Sequence, residues 1–313
     1  MNQINFFQRR EFGELVGVTF QFVKQNFVHY FVNVLLLNLP LIVMFVAGAM
    51  YVIQTNTLED LVSAVRFGGV EGVVSFVFLL FLAFIMWISY GNAITYNYYL
   101  LYVKKGAGKF SLQELFSASL SSTMPLLVAN LILGTILLAS MVLFFMFLGR
   151  LFISTLGVLM TFALIFLGIY YGVRISFYPL IIVREKVNIF TAIKRSLNII
   201  KGHWWQTFGL LVVFGIINYL ISNITNTVLG FLGIRIFDPT VLVGGEIPQI
   251  GTIAIVLFVI TQFVISVLSN MFSQTALFAQ YGNLLEEKEG IGLKEKVEQI
   301  GKTSDNEKEE EDF

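Results

Sequence analysis

The sequence predicts an all-α integral membrane protein with six transmembrane helices arranged as three parallel repeats. Three observations predict this fold class. The chain has 313 residues, of which 57% are hydrophobic and only 13% are charged, against about 25% charged residues in a typical soluble domain. Apolar stretches of about 20 residues or more recur along the chain, and this is the length that a helix needs to cross a bilayer. Similar amphipathic segments also precede alternate spans.

The apolar stretches define six predicted spans, at about 27–53, 73–103, 125–148, 151–183, 205–230 and 250–285. The third and fourth spans are separated only by Gly149 and Arg150, which predicts a tight hairpin. The first long apolar stretch begins after residue 26, so we expect the first span itself to direct insertion into the membrane.

Basic residues are distributed unequally between the two sides of these spans. Eleven lie on the side of the N-terminal segment: Arg9, Arg10, Lys24, Lys104, Lys105, Lys109, Arg184, Lys186, Lys194, Arg195 and Lys201. Three lie on the opposite side: Arg66, Arg150 and Arg235. Because loops rich in Lys and Arg stay in the cytoplasm, both termini are predicted to be cytoplasmic.

An approximate internal repeat relates the spans. Each odd span follows an amphipathic segment that is predicted to lie as a helix in the cytoplasmic interface. Their apolar faces are Phe12, Leu15, Val16, Thr19, Phe22, Val23 and Phe27 in the first segment, Phe110, Leu112, Leu115, Phe116 and Leu120 in the second, and Ile189, Phe190, Ile193, Leu197 and Ile200 in the third. Each even span continues into a helix-compatible stretch rich in polar and aromatic residues, and 151–183 is predicted to be one long helix.

The repeat therefore predicts a single membrane domain over residues 1–285, with copies at about 1–109, 110–186 and 187–285. Two crossings separate successive copies, so the copies are parallel about an axis normal to the membrane, unlike the inverted repeats of many transporters. Residues 286–313 are predicted to form a charged cytoplasmic tail, with a short helix followed by a solvated, disordered end.

Composition argues against most catalytic chemistry. The chain has no cysteine and only two histidines, far apart in sequence, which disfavours thiolate catalysis and metal binding. None of its acidic residues falls within the apolar part of a predicted span, whereas a proton-coupled carrier usually keeps a carboxylate there. We therefore predict no catalytic residue, no cofactor, no metal and no nucleic-acid partner.

Arg174 is the one basic residue inside a predicted span. It follows Arg150 by 24 residues, about 36 Å along a straight helix, which places it near the cytoplasmic boundary. It is either a snorkelling or helix-pairing arginine, or a ligand for a phosphate or lipid headgroup or a partner for Glu185. Nearby basic residues of the third amphipathic segment are expected to face anionic headgroups. The candidate headgroup or partner site is thus Arg174, Glu185, Lys194, Arg195 and Lys201.

Small and polar residues within the spans predict contacts between helices. Gly168 and Gly172 form a GxxxG pattern, which lets another helix approach closely. Five polar residues are predicted to make interhelical hydrogen bonds, with a polar translocation path as the alternative: Asn33, Asn38, Asn130, Asn218 and Gln262.

One region resembles a known family. The pattern runs from Phe177 to Gly209 and comprises Pro179, Val183, Glu185, Ala192, Arg195, Ser196, Gly202 and Trp204. It is similar to bacterial multi-span proteins related to the membrane domain of glycerophosphoryl diester phosphodiesterases, and the opening Met1 to Phe12 resembles stand-alone members from Bacteroidota. The resemblance implies a bacterial inner-membrane location. It implies no diesterase activity, because that activity belongs to a separate soluble barrel domain for which this sequence has no room.

Three functional hypotheses remain open. The first is a non-enzymatic scaffold, or a subunit of a membrane assembly, that acts through a cytoplasmic platform. The second is a transporter or lipid-handling protein with a polar path or headgroup site near Arg174. An intramembrane enzyme ranks last. We expect membrane lipids as partners, with another membrane or cytoplasmic protein as a further candidate.

Overall fold

A computed structural model describes residues 3–54, 70–148, 155–231 and 252–292 of the chain, and within them it has eight helices. The helices are α1 (Phe12–Gln54), α2 (Val70–Lys105), α3 (Leu112–Leu148), α4 (Thr155–Ile175), α5 (Tyr178–Glu185), α6 (Ile189–Ile200), α7 (Trp204–Phe231) and α8 (Thr252–Glu289). The predicted hairpin at Gly149 and Arg150, the three outer arginines and the end of the tail lie outside the described residues.

Six stretches of this structure are long and apolar enough to cross a membrane. They are Phe12–Gly48, Val74–Lys105, Leu112–Phe144, Val158–Glu185, Trp204–Thr227 and Val256–Glu289. Each contains most of one predicted span, so the described residues confirm the prediction of a helical fold with six stretches long and apolar enough to span a membrane.

The amphipathic segments differ from the prediction in two of three cases. The first is continuous with its span in α1, a single helix of 43 residues, and the second is continuous with its span in α3. Only the third forms a separate helix, α6. It is isolated by Lys186, which ends α5 in the left-handed conformation, and by Gly202, whose φ of +90° suits glycine. No comparable break separates the first or the second amphipathic segment from the span that follows it, so each of these segments continues into its span as one helix.

The fourth span is also not one helix. α4 ends at Ile175, and α5 begins at Tyr178 with Pro179 in its first turn. Proline has no backbone N–H and is accommodated at the start of a helix rather than inside it. The predicted continuous helix over 151–183 is therefore wrong, and the break turns the chain towards α6.

The helices pack in a cyclic order. α2 packs extensively on α3, and α8 packs extensively on α1. α4 makes only a small contact with α7, although α7 itself packs well on α8. Each even span thus meets the odd span of the next predicted repeat, and the seam between α4 and α7 is much looser than the other two.

The core lies at one end of the bundle, which we call the platform. It comprises residues 3–11 (the strap), the first several turns of α1, α3 and α7, the last several turns of α2 and α8, the last turn of α4, and all of α5 and α6. Its largest fully buried side chains are aromatic: Tyr30, Tyr96, Tyr98, Tyr99, Tyr102, Tyr281, Phe6, Phe22, Phe177, Phe214 and Phe278. At the other end, large apolar side chains such as Phe166 are exposed.

The strap and the end of α8 lie together in the platform. The backbone N–H of Arg10 donates to Asn283 Oδ1 at 2.8 Å, and the ring centroids of Phe6 and Phe278 lie 4.9 Å apart. α8 runs past residue 285 to Glu289, so the first residues of the predicted tail belong to the packed platform.

Three of the five intramembrane polar residues bond to a neighbouring helix, as predicted. The pairs are Asn130 with Ser89 at 2.8 Å, Asn218 with Ser273 at 2.6 Å and Gln262 with Asn226 at 2.9 Å. Asn33 and Asn38 donate instead to carbonyls four residues earlier in α1. The prediction is wrong for these two, because the carbonyl of the preceding helical turn is within reach of their amides.

Candidate functional site

All five predicted site residues lie in one part of the platform, which we call the corner. The corner consists of the last turn of α4, α5, α6 and the first turn of α7. Arg174 lies in the last turn of α4, Glu185 ends α5, Lys194 and Arg195 lie on α6, and Lys201 follows α6 directly. Glu185 and Arg195 belong to a half-buried ion-pair network, Arg174 is half-buried beside α6, and Lys194 and Lys201 form an exposed basic edge.

The ion-pair network is centred on Arg195. Arg195 Nε lies 2.6 Å from Glu185 Oε1, and Arg195 Nη2 lies 2.9 Å from Glu289 Oε1. Tyr281 donates its hydroxyl to Glu185 Oε1 at 3.1 Å. Burial acts to lower the pKa of Arg195, but hydrogen bonds to and attraction by Glu185 and Glu289 raise that pKa overall. The network therefore joins α5, α6 and α8 through the guanidinium of Arg195.

Glu185 consequently does not pair with Arg174, and that part of the prediction is wrong. The left-handed Lys186 turns α6 back across α5, which brings Arg195 rather than Arg174 to the carboxylate. Glu289 is a member of the network that the sequence prediction missed, because it was assigned to the tail.

Arg184 is a second residue that the sequence prediction missed at the corner. Its guanidinium lies 4.5 Å from the ring centroid of Phe7 in the strap and 5.4 Å from that of Tyr281. Cation–π contacts of this kind are favourable when the cation is shielded from water. Its Nη1 atom is buried without a recorded hydrogen-bond partner. Arg184 thus ties the strap to α8 through ring faces.

Arg174 caps the end of α6. Its Nη2 atom donates to the Leu197 carbonyl at 3.3 Å, and its guanidinium lies 5.6 Å from the Tyr170 ring centroid. The hydroxyl of Ser196 donates to the Arg174 carbonyl at 2.8 Å and accepts from the Phe177 N–H at 3.3 Å. Cations at a helix C-terminus are favourable because the last carbonyls lack helical partners. Arg174 and Ser196 therefore fix α6 against the break between α4 and α5.

The Arg174 guanidinium nevertheless keeps unused donors. An arginine carries five N–H donors, and the structure records a hydrogen-bond acceptor for one of them. No carboxylate lies within 4.0 Å of Arg174 among the described residues. Its side chain is half-buried rather than enclosed, so a further anionic partner can reach it.

Aromatic side chains close the platform end of the α4–α7 seam. Trp204 Nε1 donates to the Tyr170 carbonyl at 3.1 Å, and the two rings stack with centroids 5.7 Å apart. Trp204 also stacks on Phe208 at 4.9 Å. Beyond this contact α4 has few neighbours, and only 6% of its most apolar stretch is buried.

The exposed edge of α6 carries Lys194 and Lys201. The buried face of α6 is formed by Ile189, Ala192, Ser196, Ile199 and Ile200. Phe190 was predicted for that face, but it is 71% exposed. Small side chains at 192 and 196 let α6 lie closely on the rest of the corner, and the helix is rotated accordingly.

Gly168 and Gly172 lie on the bare part of α4. No atom of the described chain lies within 4 Å of a Cβ built at either position, apart from the immediate backbone. No helix among the described residues packs on them there, and their packing role stays a prediction about another molecule.

The corner also explains the family-like pattern in structural terms. Pro179 begins α5, and the buried Val183 and Ala192 lie in the core. Glu185 and Arg195 form the ion pair, Ser196 bridges α4 and α6, Gly202 makes the turn into α7, and Trp204 stacks on Tyr170. Every residue of the pattern thus shapes this corner.

The described residues contain no group of metal ligands, and a polar cavity lies beside the strap. No three His, Asp or Glu side chains among them are grouped to hold a metal ion. A polar cavity of about 390 Å³ lies between the strap and the start of α1, lined by residues that include Gln3, Asn5, Arg10, Glu14 and Gln21. Arg10 there donates to the Phe6 and Asn5 carbonyls.

Comparison with known proteins finds no family model, no curated protein and no solved structure that matches the chain.

Proposed function

We propose that this protein is a non-enzymatic scaffold, or a subunit, of an assembly in a bacterial inner membrane. One observation carries the proposal: a densely packed platform holds a transmembrane helix, α4, that has few neighbours within the chain. A helix held firmly at one end and bare along the membrane is suited to receive a helix of another protein. Close packing between membrane helices favours small residues, and Gly168 and Gly172 supply them on α4.

The chemistry of the platform supports a structural role over a catalytic one. Glu185 and Glu289 are engaged by Arg195, and Arg184 is held between two rings. These groups stabilise the contacts between elements, and none of them is left as a free acid, base or nucleophile facing a cavity.

The orientation and the repeat are part of the proposal. The strap, the end of α2, α5 and α6 carry the basic residues, and the strap lies beside the end of α8 in the platform. Under the positive-inside rule, this distribution of basic residues supports a cytoplasmic platform and cytoplasmic termini. The cyclic packing of α2 on α3, α4 on α7 and α8 on α1 supports three parallel repeats about one axis.

We also propose a distant relationship to the membrane domain of glycerophosphoryl diester phosphodiesterases. Its support is the pattern from Pro179 to Trp204, whose members all contribute to the corner. On this proposal the shared feature is a structural corner of the membrane domain rather than a hydrolytic site.

The alternative, a lipid-handling protein or transporter, is favoured by one observation. The accessible donors of Arg174 lie at the base of the loose α4–α7 seam, where an anionic headgroup could bind.

Site-specific photo-crosslinking in native membranes tests the scaffold proposal. A photoreactive amino acid replaces Ile165 on α4, which is 53% exposed and lies one helical turn before Gly168, or Phe78 on α2, which is 55% exposed and serves as the matched control. We expect an adduct with one polypeptide of defined mass at Ile165 and lipid adducts alone at Phe78. Lipid adducts alone at both positions would refute the scaffold role of α4 and favour the alternative.

A further inference from the structure

The corner presents three cations that no carboxylate neutralises. Arg174, Lys194 and Lys201 have no acidic side chain within 4.0 Å in the part of the chain that the structure describes. Lys288 adds a fourth positive charge nearby, because its ammonium donates to the carbonyls of Asn198 at 2.7 Å and Lys201 at 2.9 Å. The corner therefore carries an excess of positive charge.

These cations lie along one edge of α6. Arg174 reaches the Leu197 carbonyl, and Lys194 and Lys201 lie three residues before and four residues after Leu197. Residues three or four positions apart share one side of a helix. Lys194 therefore lies on the side of α6 that Arg174 reaches, Lys201 lies directly after the last turn of α6, and both lysines are exposed.

Exposed aromatic side chains place this edge at the membrane surface. Trp205, in the first turn of α7, is 74% exposed and lies four residues after Lys201 across the Gly202 turn, and Phe190, one helical turn before Lys194, is also exposed. Tyr171, on the last turns of α4, is also exposed. Tryptophan and tyrosine favour the headgroup level of a bilayer, which is the depth at which lipid phosphates lie.

The membrane side of the corner offers room for acyl chains. Beyond the contact between Trp204 and Tyr170, α4 exposes Leu167 and Phe166, and α7 exposes Ile216 and Leu220. α4 and α7 make little direct contact. A cationic site thus adjoins apolar surface that the chain itself does not cover.

We propose that the corner binds the phosphate of an anionic phospholipid from the cytoplasmic leaflet. The free donors of Arg174 bind the phosphate, since a planar guanidinium matches phosphate geometry. Lys201 and Lys194 provide further attraction, and the acyl chains lie along the α4–α7 seam. The site takes a lipid rather than a free phosphate because apolar surface continues directly from the cations. The cytoplasmic leaflet is specified by the orientation in the proposed function, but binding itself does not require a protein partner.

Native mass spectrometry of the full chain in nanodiscs tests this site. The nanodiscs contain phosphatidylcholine with or without phosphatidylglycerol, and the retained lipid is counted after gentle release. We expect the wild type to retain phosphatidylglycerol in preference to phosphatidylcholine. Each charge removed by Arg174→Gln or Lys201→Gln is expected to weaken retention about fivefold.

Control variants separate binding from folding and from general surface charge. Lys24→Gln combined with Lys104→Gln removes two exposed platform lysines outside the corner, and retention should stay unchanged. Arg174→Gln removes a helix cap and could unfold the corner, so Lys194→Gln with Lys201→Gln provides a second test on exposed side chains.

Two outcomes would overturn the proposal. Equal loss of phosphatidylglycerol in the corner and control variants would mean that only net charge matters. Displacement of the adduct by inorganic phosphate would mean a site for a free anion. The crosslinking experiment at Ile165 probes the glycine face of α4 rather than the α4–α7 seam, so a missing protein partner and a missing lipid site give different results.

Discussion

The α8–α1 seam and the α4–α7 seam contrast two ways of joining helices in one membrane protein. Along the α8–α1 seam, aromatic rings from the strap, α1 and α8 pack together. The ring centroid of Phe6 lies 5.4 Å from that of Phe22 and 4.9 Å from that of Phe278. At the α4–α7 seam the main contact is the stack of Tyr170 on Trp204, and the helices then separate. The described part of the protein thus concentrates its tertiary contacts in the platform and leaves the apolar surface of α4 largely uncovered.

The largest expected loss of stability comes from removing a buried aromatic ring from the platform core. Phe6→Ala removes a fully buried ring in the strap and should lower the free energy of unfolding by about 3–5 kcal/mol. Thermal unfolding in detergent measures the loss, with Phe162→Ala on the exposed face of α4 as the matched control. Similar losses for the two variants would contradict the contrast between the seams.

The next-largest expected change in stability is at Gly282 of α8, where the strap packs closely against the helix. A Cβ at Gly282 would collide with the Phe6 carbonyl, whereas a Cβ at Gly17 in α1 meets no atom within 4 Å. Gly282→Ala should therefore cost about 1–3 kcal/mol. Gly17→Ala should stabilise by up to about 1 kcal/mol, because alanine has the higher helix propensity. Urea unfolding of both variants tests the opposite signs, and a neutral Gly282→Ala would mean that the strap does not pack against α8.

The smallest expected effect concerns the ion pairs of the corner. A double-mutant cycle of Glu185→Gln and Arg195→Gln should give a coupling energy of about 1 kcal/mol, because both side chains are only partly exposed. The more exposed pair of Lys105 and Glu114 is the control, and its coupling should be weaker. Coupling at Glu185 no larger than in the control would mean that the network does not hold α5 to α6.

Helix existence could be predicted from the sequence because apolar length is a local property. The break at Pro179 and the separate α6 also leave local signals, in proline and Gly202. Which charged residues pair with each other in the corner could not be predicted in the same way. Arg195 meets Glu185 only because Lys186 adopts the left-handed conformation, and nothing in the neighbouring residues requires that.

The strap could not be predicted because its pattern is not periodic. Phe6 and Phe7 lie between polar residues of a stretch with no regular secondary structure. Their burial depends on Gly282, which lies far away in sequence. That this aromatic pair packs against a distant helical glycine can be recognised only once the fold is known.

The most direct test of the central claim measures how firmly each region is held. The chain has no cysteine, so spin labels can be placed on introduced cysteines without removing native ones. One pair of labels replaces Phe166 on α4 and Leu220 on α7, and the other replaces Lys104 on α2 and Thr191 on α6. Double electron–electron resonance spectroscopy in nanodiscs should give a broad distribution of distances between the labels of the first pair and a narrow distribution for the second pair. Equally narrow distributions would contradict a tight platform that carries a loosely held membrane seam.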